Sequence, residues 1–257
     1  MAAVFCTFVR GVIEKNLQIA VMTIHPDNST CQNCNQRFNS IFCKAHEDHV
    51  NQINDQKVCN VYKKGQTLFN EGSHPLGVYC VSNGKIKMSH LGDDGKEQII
   101  RLVKAGDILG YRALLSGERY SATAEALEDT QVCFIPRDLF IKVLKLDSNL
   151  AFEMMKLLSD ELHRAEVKLT HLAQKPIRER LAETLLFIKE TYGYEQDGVT
   201  LSVRLSREEI ANLVGTATES AIRLLSEFKK DGMIDLEGKK IKIIQPKELL
   251  RTANIQD

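Results

Sequence analysis

The sequence predicts an α+β fold in three parts: an N-terminal antiparallel β-roll, a long helix, and a C-terminal winged helix-turn-helix. Three observations carry this. Short strand-like stretches broken by glycine run from about Val58 to Pro136, an apolar seam at heptad spacing runs from Met155 to Leu172, and two helical stretches meet at Gly215. The expected divisions are 1–45 for an N-terminal extension with a cysteine cluster, 46–145 for the roll, 146–173 for the long helix and 174–257 for the winged domain.

In the roll, residues 76–82, 85–89 and 98–103 are strand candidates, separated by turn signals at Ser82-Asn83-Gly84 and at Gly92-Asp93-Asp94-Gly95. Evenly spaced short strands argue for a closed or rolled antiparallel sheet. The period then changes. Met155, Leu158, Leu162, Ala165, Leu169 and Leu172 alternate steps of three and four on one helix that ends near Pro176. So narrow a seam most economically meets its own copy across a two-fold axis, giving a homodimer, with burial against the roll as the alternative.

Ser206 followed by Glu209 is a capping box, and Ile210, Leu213 and Val214 form one apolar face behind it. Gly215 suits the left-handed residue that ends such a helix. Thr216 with Glu219 reads as a second box, opening a helix whose Ala221, Leu224, Leu225 and Phe228 point inward. Thr216, Thr218, Glu219, Ser220 and Arg223 then face out in the first turns, where a recognition helix touches bases. Arg can donate twice to guanine and Glu can accept from cytosine; the plain alternative is a surface ion pair at i, i+4. The strand-like wing over 233–244 favours double-stranded DNA, read as two half-sites by a dimer.

Bulk charge adds nothing to that reading. The 257 residues carry 34 Lys plus Arg against 34 Asp plus Glu, and from Gln174 onward the count is 14 against 14, so affinity must come from local contacts. Residues 1–9 are apolar but lack a preceding positive charge and are too short to span a bilayer, and Met22 could be the true start. No membrane segment is expected. A cytoplasmic location follows, where the seven cysteines would stay reduced unless bound to metal.

The order of parts resembles the Crp/Fnr superfamily of bacterial transcription regulators, closest to the Fnr type. The segments 64–69, 105–110, 132–136 and 214–225 carry the resemblance, which covers nearly everything after about residue 30. It implies a cyclic-nucleotide-binding-like roll, a dimer, contact with RNA polymerase, and half-site reading by Glu219 and Arg223. The family's Ser or Gly before that Arg is Ile222 here, which could contact a thymine methyl or simply pack. Cyclic-nucleotide members use a Glu and an Arg where this chain has Tyr111 and Tyr120, and Arg119 would point to the opposite face, so cyclic AMP is not expected.

Cys31, Cys34 and Cys43 precede the roll, and Cys133 lies at the place of the family's distant fourth ligand, a set that suits an oxygen-labile [4Fe-4S] cluster. The eight residues between Cys34 and Cys43 exceed the family's five. Zinc held by Cys31, Cys34, Cys43 and His46 or His49 is a rival, and no metal at all is the third reading, with Cys6, Cys59 and Cys80 as ordinary small residues. No phosphate loop, nucleophile motif or His-rich metalloenzyme motif points to an enzyme, and the Asp93-Asp94 pair reads as turn chemistry. A regulator gated by an unknown small molecule between roll and long helix is the remaining alternative.

Overall fold

The computed structural model describes residues 30–93 and 95–255. The apolar run at residues 1–9, Cys6, Met22 and Asp94 lie outside them. Two short 3-10 turns, Arg37–Asn39 and Ile41–Lys44, and helix α1 (Glu47–Gln56) precede the roll. The roll holds β1 (Val58–Tyr62), β2 (Thr67–Phe69), β3 (Gly77–Asn83), β4 (Lys85–Leu91), β5 (Glu97–Lys104), β6 (Ile108–Leu109), β7 (Thr123–Ala126) and β8 (Thr130–Pro136), with α2 (Tyr111–Ser116) between β6 and β7. They form two antiparallel sheets, ordered β1-β8-β3-β6 and β2-β7-β4-β5.

Period-2 alternation sorts these strands between two cores. On β3 and β8, Val81 and Val132 face the roll interior with Leu68, Phe69, Ile86, Val103 and Leu109. Val78, Cys80 and Ile135 face outward, onto a second core built with Ile41, Ala45, Val50 and Ile53 of the N-terminal segment. Helix α3 (Arg137–Leu146) adds Leu139, Phe140 and Val143 to that core, and the long helix α4 (Ser148–Gln174) adds Leu150 and Met154. The cysteine-bearing segment, the roll and the root of α4 therefore pack as one unit.

Asp147 fixes the start of α4. Its carboxylate accepts from the backbone N–H of Asn149 and of Leu150, each at 3.1 Å, and also from His46 N at 2.7 Å and His49 Nδ1 at 2.9 Å. Burial would push this carboxyl up, but the bonds from His49, His46 and Leu150 outweigh it and hold its pKa below the ordinary value. Helix α4 stops at Lys175, where Pro176 disfavours further helix. Beyond its root, the seam residues Met155, Leu158, Leu162, Ala165, Leu169 and Leu172 are all exposed, Leu162 by 62% and Leu169 by 70%. Burial of the seam against the roll is not what the chain does.

The winged domain comprises α5 (Ile177–Tyr192), α6 (Arg207–Val214), α7 (Thr218–Lys230), the two-stranded wing β9 (Ile234–Glu237) and β10 (Lys240–Ile243), and α8 (Pro246–Thr252). Its core includes Leu181, Leu185, Ile210, Leu225 and Phe228, and extends onto Ile99, Leu102 and Leu127 of the roll. Polar contacts follow the same boundary. The Tyr192 hydroxyl reaches the carbonyls of Ile86 and Val103 at 3.2 Å each, and the Gln98 amide donates to the Asn212 carbonyl.

Lys87 on β4 is the most buried charge at this junction, with a side chain only 8% exposed. Its ammonium faces Glu209 of α6 at 3.1 Å, Glu97 at 3.5 Å and Glu125 at 3.7 Å. Burial alone would lower its pKa, yet the hydrogen bond to Glu209 and the three negative charges outweigh this and hold it above the ordinary lysine value.

Candidate nucleic-acid interface and cysteine cleft

Helix α6 begins as the sequence dictates. Ser206 Oγ accepts from Glu209 N at 3.0 Å and the Glu209 carboxylate accepts from Ser206 N at 2.7 Å, closing the capping box. Gly215 ends the helix with φ +73°, a left-handed conformation that favours glycine, and a Cβ there would meet a Leu172 methyl carbon at 3.0 Å, so α4 passes close to this cap. Arg180 ties the same corner, donating to the carbonyls of Leu172 (2.9 Å) and Gly215 (3.2 Å).

The second capping box does not form. The N-cap of α7 is Ala217, without a side-chain bond, because Thr216 N still donates to Ala211 O and so belongs to the C-terminal cap of α6. Helix α7 nevertheless buries Ala221, Leu224, Leu225 and Phe228, as its spacing requires. Glu219, Ile222 and Arg223 are exposed on the opposite face, with Thr216, Thr218 and Ser220 partly exposed around them.

Arg223 pairs with Glu227 at 2.6 Å, one turn onward, whereas the sequence pattern suggested Glu219 one turn back. Glu227 is also held by Arg178 at 3.1 Å, and Arg178 lies over the Phe228 ring at 4.8 Å. An exposed i, i+4 pair is worth about 0.3 to 0.5 kcal/mol, so Arg223 can be redirected to a base at little cost. Ile222 is 45% exposed and does not pack into the core.

Inside the roll, the Phe69 and Tyr120 rings stack with centroids 4.0 Å apart, and the space left among Arg101, Leu109, Tyr111 and Tyr120 is about 30 Å³. That is room for about one water. Arg101 is directed at Glu161 of α4 (2.8 Å) and at the Tyr111 hydroxyl (3.4 Å), while Arg119 is exposed and donates to the Gly72 carbonyl (2.8 Å).

The cysteines gather on the outer face of the first sheet. Cys133 of β8 lies directly across from Cys59 of β1 on one side and Cys80 of β3 on the other, so three cysteines form one row over three strands. Residues directly opposed in a ladder project to the same face. Above the row, an apolar cleft of about 60 Å³ is lined by Cys31, Cys34, Cys80 and Cys133, together with Arg37 and Lys57 among others. Burial pushes the Cys80 thiol up, with Cys31 acting in the same direction.

Of the expected ligands, Cys31, Cys34 and Cys133 line this cleft, whereas Cys43 lies on the flanking Ile41–Lys44 turn and is not among its lining residues. Cys133 is joined to Cys59 in a disulfide, and a sulfur so bonded is not a thiolate, so the expectation of Cys133 as a ligand is not met in this state. Among the described residues no three His, Cys, Asp or Glu side chains converge to hold a metal ion. The rival zinc set fares no better: His49 is engaged by Asp147, and His46 by Asp48 at 3.6 Å. With its disulfide reduced, the cleft offers four thiols and no lining carboxylate, a donor set that fits a soft-metal or iron–sulfur centre. Cys59 and Cys80 were not singled out as site residues in the sequence, because only the pairing of β1 and β3 with β8 aligns them.

A winged helix-turn-helix with an exposed face on its second helix, joined to a β-roll through a shared core, has the architecture of a DNA-binding regulator. Residues 59–147 match the cyclic nucleotide-binding domain family and residues 179–252 the Crp-like helix-turn-helix domain family. The chain is 32% identical to the fumarate and nitrate reduction regulatory protein of Escherichia coli (strain K12), over 83% of this chain and 86% of that protein. It is 29% identical to the protein of the same name from Vibrio cholerae, over 94% and 95%. FixK2 from Bradyrhizobium japonicum shares the fold with a TM-score of 0.69 at 26% identity, covering 78% of this chain and 99% of that structure. The chain belongs to the Crp/Fnr superfamily of bacterial transcription regulators; it is a DNA-binding regulator and not an enzyme.

Proposed function

We propose that this regulator responds to oxygen or redox state through the cysteine cleft and transmits that state to DNA binding as a homodimer in the cytoplasm. The observation that carries the proposal is the shared core: Cys31 and Phe42 pack with Ile41, Ala45, Leu150, Met154 and Leu157, so the cysteine segment rests on the root of α4. Lys44 reinforces it through Glu153 of α4 at 2.6 Å, and Asp147 through His46 and His49. A rearrangement of the segment would therefore bias the position of α4. No helix among the described residues is long and apolar enough to cross a membrane.

Cys31, Cys34, Cys43 and Cys133 are the residues we assign to a [4Fe-4S] cluster, which would supply oxygen lability when bound. Holding it requires a free Cys133 and an inward shift of the turn that bears Cys43. The exposed seam from Met155 to Leu172 supports dimerisation through α4. Two copies of α7 would then face two half-sites, with Arg223 on guanine, Glu219 on cytosine, Ser220, Thr216 and Thr218 supporting at bases or phosphates, and Ile222 beside a thymine methyl.

The test is the iron and sulfide content of protein purified without oxygen, wild type against Cys133→Ser, with DNA affinity before and after air. Iron and sulfide near four per chain, lost in the variant, with affinity changed by air, is the expected result. Colourless protein containing zinc, or affinity indifferent to air, would overturn the oxygen-responsive reading.

A further inference from the structure

We propose that Cys59 and Cys133 form a reversible thiol–disulfide pair that reacts with hydrogen peroxide, with Cys59 as the resolving thiol. The pair is built into the ladder: the two residues are direct register partners on β1 and β8, with their Cα atoms 4.0 Å apart and their sulfurs joined. Two sulfurs so placed meet without movement of either strand. Their sequence separation of 74 residues means that only the folded roll brings them together. A disulfide in a reducing compartment is characteristically transient and redox-sensing.

Cys133 is buried, but it lines the apolar cleft, which gives a small oxidant a route to its sulfur, whereas Cys59 does not line it. Cys59 stands on the edge strand of the sheet, β1, and is partly exposed. Cys80 flanks Cys133 on the other side and lines the same cleft, so it is the competing partner that peptide mapping must distinguish.

The reaction balances with the peroxide named. The Cys133 thiolate attacks one peroxide oxygen, breaking the O–O bond and forming a sulfenic acid, with hydroxide leaving and taking up a proton as water. The Cys59 sulfur then attacks the Cys133 sulfur, its thiol proton and the sulfenic hydroxyl departing as a second water. Two thiols are oxidised and one peroxide is reduced to two waters. A dithiol such as dithiothreitol reverses the change by exchange. Because the same sulfur serves as a ligand in the function proposed above, the oxidised pair withholds Cys133 from any metal, a consequence that rests on that reading while the pair itself does not.

The experiment uses full-length, metal-free, reduced protein exposed to hydrogen peroxide, followed by thiol alkylation, proteolysis and mass spectrometry. Wild type should yield a linked Cys59–Cys133 peptide that disappears after dithiothreitol, with both thiols recovered. In Cys59→Ser, checked for folding by circular dichroism, Cys133 should pass to the irreversible sulfinic acid, so that less than half of its thiol returns. The proposal is overturned if both cysteines stay alkylatable after peroxide, if Cys133 links to Cys80 or Cys31 instead, or if Cys59→Ser recovers Cys133 as fully as wild type. Iron uptake by the reduced protein is scored separately; its absence alongside a mapped pair would sink the cluster reading and leave the pair standing.

Discussion

Replacing Lys87 by Met should loosen the winged domain from the roll. The side chain is 8% exposed and faces Glu209, Glu97 and Glu125 within 3.7 Å, so the change leaves three carboxylates facing one another without their cation. Removing one partner of a fully buried pair costs about 3 to 5 kcal/mol. Here the carboxylate side chains keep 19% to 33% of their surface, so water can partly resolvate them and about 2 kcal/mol is expected. That is roughly a 30-fold change in equilibrium.

The pH dependence has a definite sign. Burial would push the Glu209 carboxyl up, but its bonds with Ser206 and Lys87 hold it below the ordinary value, so its contribution is present above that value and lost as pH falls through the lowered one. Lys87 has a raised pKa, so its contribution is full below the ordinary lysine value of 10.5 and is lost as pH rises through the raised one. Urea unfolding of wild type and Lys87→Met should therefore differ by a constant amount from pH 6 to 9, and the gap should shrink in acid and above about pH 10.5. The Glu209→Gln background should remove at least half of the effect. A difference below about 0.5 kcal/mol at pH 7, or one unchanged in that background, would refute the ion-pair account.

Three further outcomes are expected. Leu162→Glu with Leu169→Glu should give monomers in sedimentation, since both residues lie exposed on the seam of α4, and an unchanged dimer would place the interface elsewhere. Asp147→Ala removes the cap of α4 and the acceptor for His46 and His49, and should cost about 2 to 3 kcal/mol in denaturant unfolding; a loss under about 1 kcal/mol would show that water replaces these bonds. Ile222→Ser should leave stability within about 0.5 kcal/mol of wild type while changing preference at one base pair in a binding-site selection, and a large stability loss would mean that Ile222 packs after all.

Much of the fold could be read from local pattern, and the failures share a cause. The strands β3, β4 and β5, the seam of α4 and the box at Ser206 declare themselves within a few residues of sequence. Strands β2 and β6 are three and two residues long, too short for alternation to register. Thr216 and Glu219 have the spacing of a capping box, yet the Gly215 cap claims Thr216 N first, a competition between neighbouring motifs that neither reveals alone. The exposed face of α7 is legible because helical spacing places it opposite Ala221, Leu224, Leu225 and Phe228. The cysteine row is not, since Cys59, Cys80 and Cys133 are 21 and 53 residues apart in sequence and meet only through strand register. Lys87 was hidden for the same reason: nothing near it in sequence announces Glu209.

If α7 reads base sequence, selection from a randomised duplex library will reveal it. Wild type should enrich a two-fold related site, and Arg223→Ala should bind that site about 1 to 3 kcal/mol more weakly while losing preference at one base pair in each half. Uniform weakening on every sequence would make Arg223 a phosphate contact, and no enriched site for wild type under any redox condition would contradict sequence reading by α7.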